Sequence, residues 1–143
     1  MILISHRGNI DGINKDMEND PKYLLKAIKS GFEVEVDVRY ENGKFYLGHD
    51  FAQYSIDEKF LLDNKVWCHA KTPEALIALR NLDVHYFWHQ EDDYTITSRG
   101  YLWTYPKKKL LPDSICVLPE LGNYSSFNCK GICSDFIKNY KDD

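Results

Sequence analysis

The stretch from Glu33 to Asp50, Glu-Val-Glu-Val-Asp-Val-Arg-Tyr-Glu-Asn-Gly-Lys-Phe-Tyr-Leu-Gly-His-Asp, constrains the fold more than any other part of the chain. Side chains alternate faces along a strand, so Glu33, Glu35, Asp37 and Arg39 share one face and Val34, Val36 and Val38 the other. At a rise of about 3.3 Å per residue the two central carboxylates stand on Cα atoms roughly 6.5 to 7 Å apart, near enough to reach one hard cation. By themselves these residues also fit a half-exposed strand with a solvated acidic face. Asn42-Gly43 is the preferred centre of a type I′ hairpin, because both positions require positive φ. A tight turn there folds the chain back and brings Gly48-His49 level with Val36 and Asp37. Strict pairing sets His49 opposite Val36, on the wrong face, so turning it toward the carboxylates requires a one-residue bulge near Gly48.

The 143 residues, 43% of them apolar, predict a single domain over 1–143. No apolar run approaches the roughly 18 residues of a membrane span, and Met-Ile-Leu-Ile-Ser-His lacks the basic start and cleavage region of a leader. A soluble, cytoplasmic protein is expected. Net charge is −4 with acids and bases interspersed, which predicts no nucleic-acid partner; Lys107-Lys108-Lys109 reads as a solvated loop. Cys68, Cys116, Cys129 and Cys133 match no zinc spacing and read as free thiols.

Ile2-Leu3-Ile4 reads as a strand buried on both faces that delivers Ser5-His6-Arg7-Gly8 at its C-terminal end. Asp20-Pro21 opens a helix that Gly31 closes, and a right-handed crossover then places His6 beside the Glu35/Asp37 pair. A short helix within Ser55 to Asn64, a strand Val66 to Lys71, a helix from Ala75 to Leu82 and a strand Val84 to Gln90 follow. Beyond these only strands are legible, at Tyr101 to Tyr105, Ser114 to Leu118 and Gly131 to Ser134, giving about seven parallel strands plus a hairpin.

Ile4-Ser5-His6-Arg7-Gly8, Glu18-Asn19, Glu35-Val36-Asp37 and Gly48-His49-Asp50, in this order and spacing, resemble the glycerophosphodiester phosphodiesterases, relatives of the phosphatidylinositol-specific phospholipases C. Cys68-His69-Ala70-Lys71, Trp103-Thr104 and Gly131 to Phe136 are similar to later, weaker motifs of that family. The resemblance implies a (β/α)8 TIM-type barrel, here reduced or irregular, with the hairpin inserted and few helices in the second half. It implies His6 and His49 as an acid/base pair, Arg7 and Lys71 on the phosphate, and Glu35 and Asp37 on a divalent metal. Such residue types suit phosphodiester cleavage, in which negative charge grows on phosphate oxygens and protons leave the nucleophile and reach the leaving alkoxide.

The chain departs from that pattern in being short for such a barrel and in carrying His69 where the family has a third carboxylate. An imidazole still binds metals, but it weakens the case for Mg²⁺ or Ca²⁺ and admits Mn²⁺ or Zn²⁺. Glu120, at another strand end, is a candidate for the missing carboxylate, and His89, Gln90 and Asp135 are candidates to line the pocket. Trp103 reads as a wall or core residue. The expected function is metal-dependent cleavage of a small-molecule phosphodiester, either by internal attack of a neighbouring hydroxyl to give a cyclic phosphate or by water. Its rivals are a non-catalytic module that binds phosphate and metal, and an interaction protein that merely inherits the fold. Thinned helices are compatible with a homodimer that covers exposed edges.

Overall fold

The computed structural model of the chain describes residues 1–142. Its strands are β1 (Ile2–His6), β2 (Glu33–Glu41), β3 (Lys44–Leu47), β4 (Tyr54–Ser55), β5 (Val66–Ala70), β6 (His85–Trp88), β7 (Tyr94–Ile96), β8 (Leu102–Thr104), β9 (Ser114–Val117) and β10 (Gly131–Ser134). Three short α-helices, α1 (Pro21–Lys29), α2 (Glu58–Leu61) and α3 (Pro73–Arg80), all precede β6. Parallel pairing joins the strands in the order β6, β5, β2, β1, β10, β9, β8; the β3–β4 hairpin adds antiparallel pairs to β2 and β7 pairs antiparallel with β8.

The architecture is therefore a mixed-sheet half-barrel and not the expected (β/α)8 TIM-type barrel. Closing such a barrel takes eight crossover units with helices outside, and the chain after β6 has no α-helix among the described residues. Only short 3₁₀ turns, Pro119–Leu121 and Ile137–Tyr140, occur there. Loop side chains do the covering instead: Leu110, Tyr124, Phe127 and Tyr140 pack on Phe32, Cys116 and Ile132. The sheet ends approach through Ser98, whose N–H donates to the Tyr86 carbonyl and whose hydroxyl accepts from the Tyr86 N–H, both at 2.8 Å.

Local signals explain the first half. Asp20 caps α1 by accepting from the Lys22 N–H, with Pro21 opening the helix, and Thr72 caps α3 by accepting from the Ala75 N–H, ahead of Pro73. Both helices lay Leu24, Ala27, Ala75 and Leu79 on the outer face of the sheet, against Val34, Val36, Val38, Val66 and Cys68. The opposite face of the sheet lines the inside of the half-barrel, where Ile4, Trp67, Phe87, Trp103, Ile115, Val117 and Cys133 form a floor. Tilted ring contacts knit it together, Phe87 to Trp103 at 4.5 Å and Trp67 to Trp103 at 5.9 Å between centroids. Trp103 is thus a buried core residue. Among the described residues no helix is long and apolar enough to cross a membrane.

The hairpin forms as the Asn42-Gly43 signal predicts, with Glu41 opposite Lys44 and Val38 opposite Leu47, and both turn residues at positive φ. Pairing stops at Leu47. Gly48 still donates its N–H to the Asp37 carbonyl, but the chain then turns so tightly that the Gln53 N–H returns to the Leu47 carbonyl. A Cβ on Gly48 would lie 2.0 Å from the Phe51 carbonyl oxygen. Gly48→Ala is therefore expected to destabilise the chain by about 1–3 kcal/mol and to displace the His49 loop, measured as a lowered urea midpoint at unchanged slope.

Candidate functional site

The C-terminal ends of the parallel strands deliver polar side chains onto the aromatic floor. Register sets His6 beside Glu35 and Asp37 beside His69, so four groups from three adjacent strands meet inside the half-barrel. Glu35 and Asp37 are almost wholly buried, 1% and 0% exposed. One ligating atom from each of Glu35, Asp37 and His69 lies within 4.8 Å of the others. Glu35 Oε1 and Asp37 Oδ1 are buried and have no hydrogen-bond partner. Orphaned buried carboxylate oxygens are costly, so their convergence is the observation that fits this donor set to a cation.

The histidines are oriented from behind. His6 donates Nδ1–H to Asp135 Oδ1 at 2.7 Å, which points its Nε2 to within 3.9 Å of Glu35 Oε1. Burial is the largest influence on His6 and lowers its pKa, but the Asp135 bond and the Glu35 charge outweigh it, and the net shift is upward. Burial likewise works to raise the Asp135 carboxyl, and the His6 bond and charge hold it below its ordinary value. Asn9 donates through Nδ2 to Asp135 at 2.8 Å and to Glu18 at 2.9 Å, and Tyr23 donates to the Asn9 side-chain oxygen.

Arg7, in the left-handed region at φ 58°, reaches back over the acid pair. Its Nε lies 3.0 Å from Asp37 Oδ2 without the alignment of a hydrogen bond, and its Nη1 donates to Glu18 at 3.2 Å. Asn19 donates to Asp37 Oδ2 and accepts the Asp37 N–H, clamping that residue from both sides. Burial opposes ionisation of Asp37, yet the Arg7 charge, followed by His69, Asn19 and Lys71, keeps its pKa low. Lys71 thus acts on the site through charge and makes no ion pair within it.

The structure does not bring His49 to the acid pair. The tight turn carries it to the surface, where its side chain is 44% exposed and its Nδ1 lies 2.7 Å from Asp50 Oδ1. It lines a cavity of about 350 Å³ with Arg7, Lys15, Glu18, Asn19, Phe51 and Gln53. Arg39, from the inner face of β2, fixes this loop by donating to the Gly48 and His49 carbonyls at 2.9 and 2.6 Å. Glu120 does not supply a third carboxylate: it accepts from the Ser134 hydroxyl and the Asp135 N–H and braces β10 from outside the cluster. His89 is buried, its Nε2–H donated to the Asp92 carbonyl, while its own carbonyl accepts from His69 Nε2 at 2.8 Å.

Sequence reasoning gave no role to Asn9 or Asn19. Their signal was adjacency, Asn9 following His6-Arg7-Gly8 directly and Asn19 completing the Glu18-Asn19 pair. The His89 carbonyl had no signal at all, because a main-chain acceptor leaves no mark on residue type.

Comparison with protein-family models, curated proteins and solved structures finds no match to this chain.

The His6–Asp135 contact is one interaction seen from both partners. The raised His6 pKa stabilises the fold fully below the ordinary value of 6.5 and ceases to do so as pH rises through the folded value. The lowered Asp135 pKa stabilises it fully above 3.8 and ceases to do so as pH falls through the folded value. The pair contributes most between those two ordinary values. Asp135→Asn is expected to lower the His6 titration midpoint in proton NMR and to flatten the stability profile across that window.

Proposed function

We propose that this chain is a metal-dependent phosphodiesterase acting on a small phosphodiester. The observation that carries the reading is the pair of unpartnered buried oxygens, Glu35 Oε1 and Asp37 Oδ1, facing His6 Nε2 and His69 Nδ1. Glu35, Asp37 and His69 would hold the cation, which when bound supplies positive charge to the phosphate oxygens as they gain electrons. Arg7 adjoins the acid pair and also lines the neighbouring cavity, a position from which a guanidinium binds a second phosphate oxygen. His6 is a proton carrier: Asp135 holds Nδ1–H, which leaves Nε2 free to take a proton from the attacking hydroxyl or water or to give one to the leaving alkoxide.

His49 stands on the rim of the same cavity as Arg7, where it can serve the outgoing or incoming oxygen of a substrate lodged there. Its exposure is the one observation that favours a second reading, a module that binds phosphate and metal without turnover.

Hydrolysis of bis(p-nitrophenyl) phosphate with Zn²⁺, Mn²⁺, Mg²⁺ or Ca²⁺ separates the two readings. Turnover that falls about 10²- to 10⁴-fold in His6→Ala, with an unchanged circular dichroism spectrum, supports the enzyme. A comparable fall in His49→Ala assigns it the second proton transfer. Metal binding with no hydrolysis under any of these ions sinks the enzymatic reading. With a substrate bearing a neighbouring hydroxyl, a cyclic product in phosphorus NMR identifies internal attack.

A further inference from the structure

His69 departs from an all-oxygen donor set, and its surroundings decide which of its nitrogens meets the carboxylates. A carbonyl oxygen only accepts, so the 2.8 Å contact between His69 Nε2 and the His89 carbonyl requires a proton on Nε2. In the neutral ring Nδ1 is then bare. Nδ1 lies 3.2 Å from Glu35 Oε2, in hydrogen-bond geometry, and 3.7 Å from Asp37 Oδ1, so in the neutral ring its lone pair faces those of the carboxylates. Two devices hold the arrangement. The His69 ring stacks on Phe87 at 4.8 Å and 20°, and the turn that offers the His89 carbonyl is closed by the His89 ring, whose Nε2–H reaches the Asp92 carbonyl at 2.6 Å.

We propose that the His89 main-chain carbonyl, by locking this tautomer, makes the Glu35/Asp37/His69 group a Zn²⁺-class site that discriminates against Mg²⁺ and Ca²⁺. The inference rests on the reading that the group holds a cation, and adds which class of cation it takes. Three observations carry it: the proton assigned to Nε2 by a partner that cannot donate, the 3.2 Å approach of Nδ1 to Glu35 Oε2, and the orphaned oxygens of two residues more than nine-tenths buried. Hard cations take oxygen ligands, whereas an imidazole nitrogen suits zinc and its neighbours. A metal-ligating histidine whose other N–H is held by a backbone carbonyl is also the usual outer-shell arrangement at such metals. Three protein donors leave a position for water or substrate, as in zinc sites that do chemistry. The competing resolution of the opposed lone pairs is a second proton on His69, an imidazolium standing where the cation would.

The test uses the full chain, freed of metal by a chelator, and the metals alone as probes. Long-range proton–nitrogen NMR at pH 8 is expected to show His69 as the Nε2–H tautomer, with Nδ1 shifting on addition of Zn²⁺. Calorimetric titration is expected to give Zn²⁺ binding at least ~10³-fold tighter than Mg²⁺ or Ca²⁺, as softness and ligand type dictate. His69→Asp should shrink that preference by about tenfold or more, and His69→Gln, which keeps a neutral side chain in the same space, should weaken Zn²⁺ without improving Mg²⁺. A doubly protonated or Nδ1–H ring at pH 8, a Zn²⁺ preference unchanged in both folded variants, or equal affinity for Zn²⁺ and Mg²⁺ overturns the inference and leaves the cation reading standing. Failure of every divalent ion to bind overturns both.

Discussion

Two carboxylates side by side on β2, sealed inside the sheet, are the constraint that the rest of the structure answers. Ionised side chains at 1% and 0% exposure persist only where opposite charge and hydrogen-bond donors compensate for lost water. The chain gathers those from several directions: Arg7 from the end of β1, Asn19 from the loop before α1, and His6 beside Glu35. Even the left-handed backbone at Arg7 and Asn19 fits this need, since both residues bend back over Asp37 from segments that would otherwise run past it. Local strain of about 1–3 kcal/mol per such residue is tolerable where a buried charge is thereby met.

Only a portion of a barrel is needed to build this site. Its side chains come from β1, β2, β5 and β10, four neighbouring strands of one parallel run, together with the turns that leave them. The remaining strands β6, β8 and β9 contribute Phe87, Trp103, Ile115 and Val117, which fill the interior below the polar layer and keep it dry. The absence of outer α-helices after β6 among the described residues therefore costs little at the site. Loop aromatics shield the backs of β9 and β10, where helix packing would otherwise do so. The half-barrel is a scaffold reduced to the strands that position charge and the strands that exclude water.

Which parts were legible in the sequence follows from which are encoded by residue type and which by path. The inward face of β2 was readable because period-two alternation is a property of residue order alone, and Glu35 and Asp37 point inward as the pattern requires. The crossover through α1 was readable because Asp20-Pro21 and Gly31 punctuate it. The class of the whole fold was not, because eight-fold closure depends on connections whose composition carries no periodic signal. The β7 strand, Tyr94–Ile96, was missed for the same reason: three residues beside Glu91-Asp92-Asp93 look like loop, and only pairing with β8 makes them a strand. His49 shows the opposite failure, in which residue type was informative and the path misleading. Hairpin register predicted its level on the sheet, but the chain turns at Gly48, where the Phe51 carbonyl leaves no room for a Cβ, and His49 lies at the surface.

Counting donors against carboxylates shows where positive charge is still wanted. Asp135 receives His6 and Asn9, Glu18 receives Arg7 and Asn9, and Asp37 receives Asn19 with Arg7 alongside. Glu35 has one such contact, Oε2 with His69 Nδ1 at 3.2 Å, while its Oε1, like Asp37 Oδ1, has no partner, His6 Nε2 standing 3.9 Å away. The peripheral carboxylates are thus tied by neutral or cationic donors that also aim His6, while each of the two central ones keeps one oxygen unmet and turned inward. A network assembled only for stability would satisfy both oxygens of its two most buried members, since an unmet buried acceptor costs about 1–3 kcal/mol. This one satisfies the rim and leaves the middle to an incoming charge, which is the arrangement expected of a binding site and not of a structural ion-pair cluster.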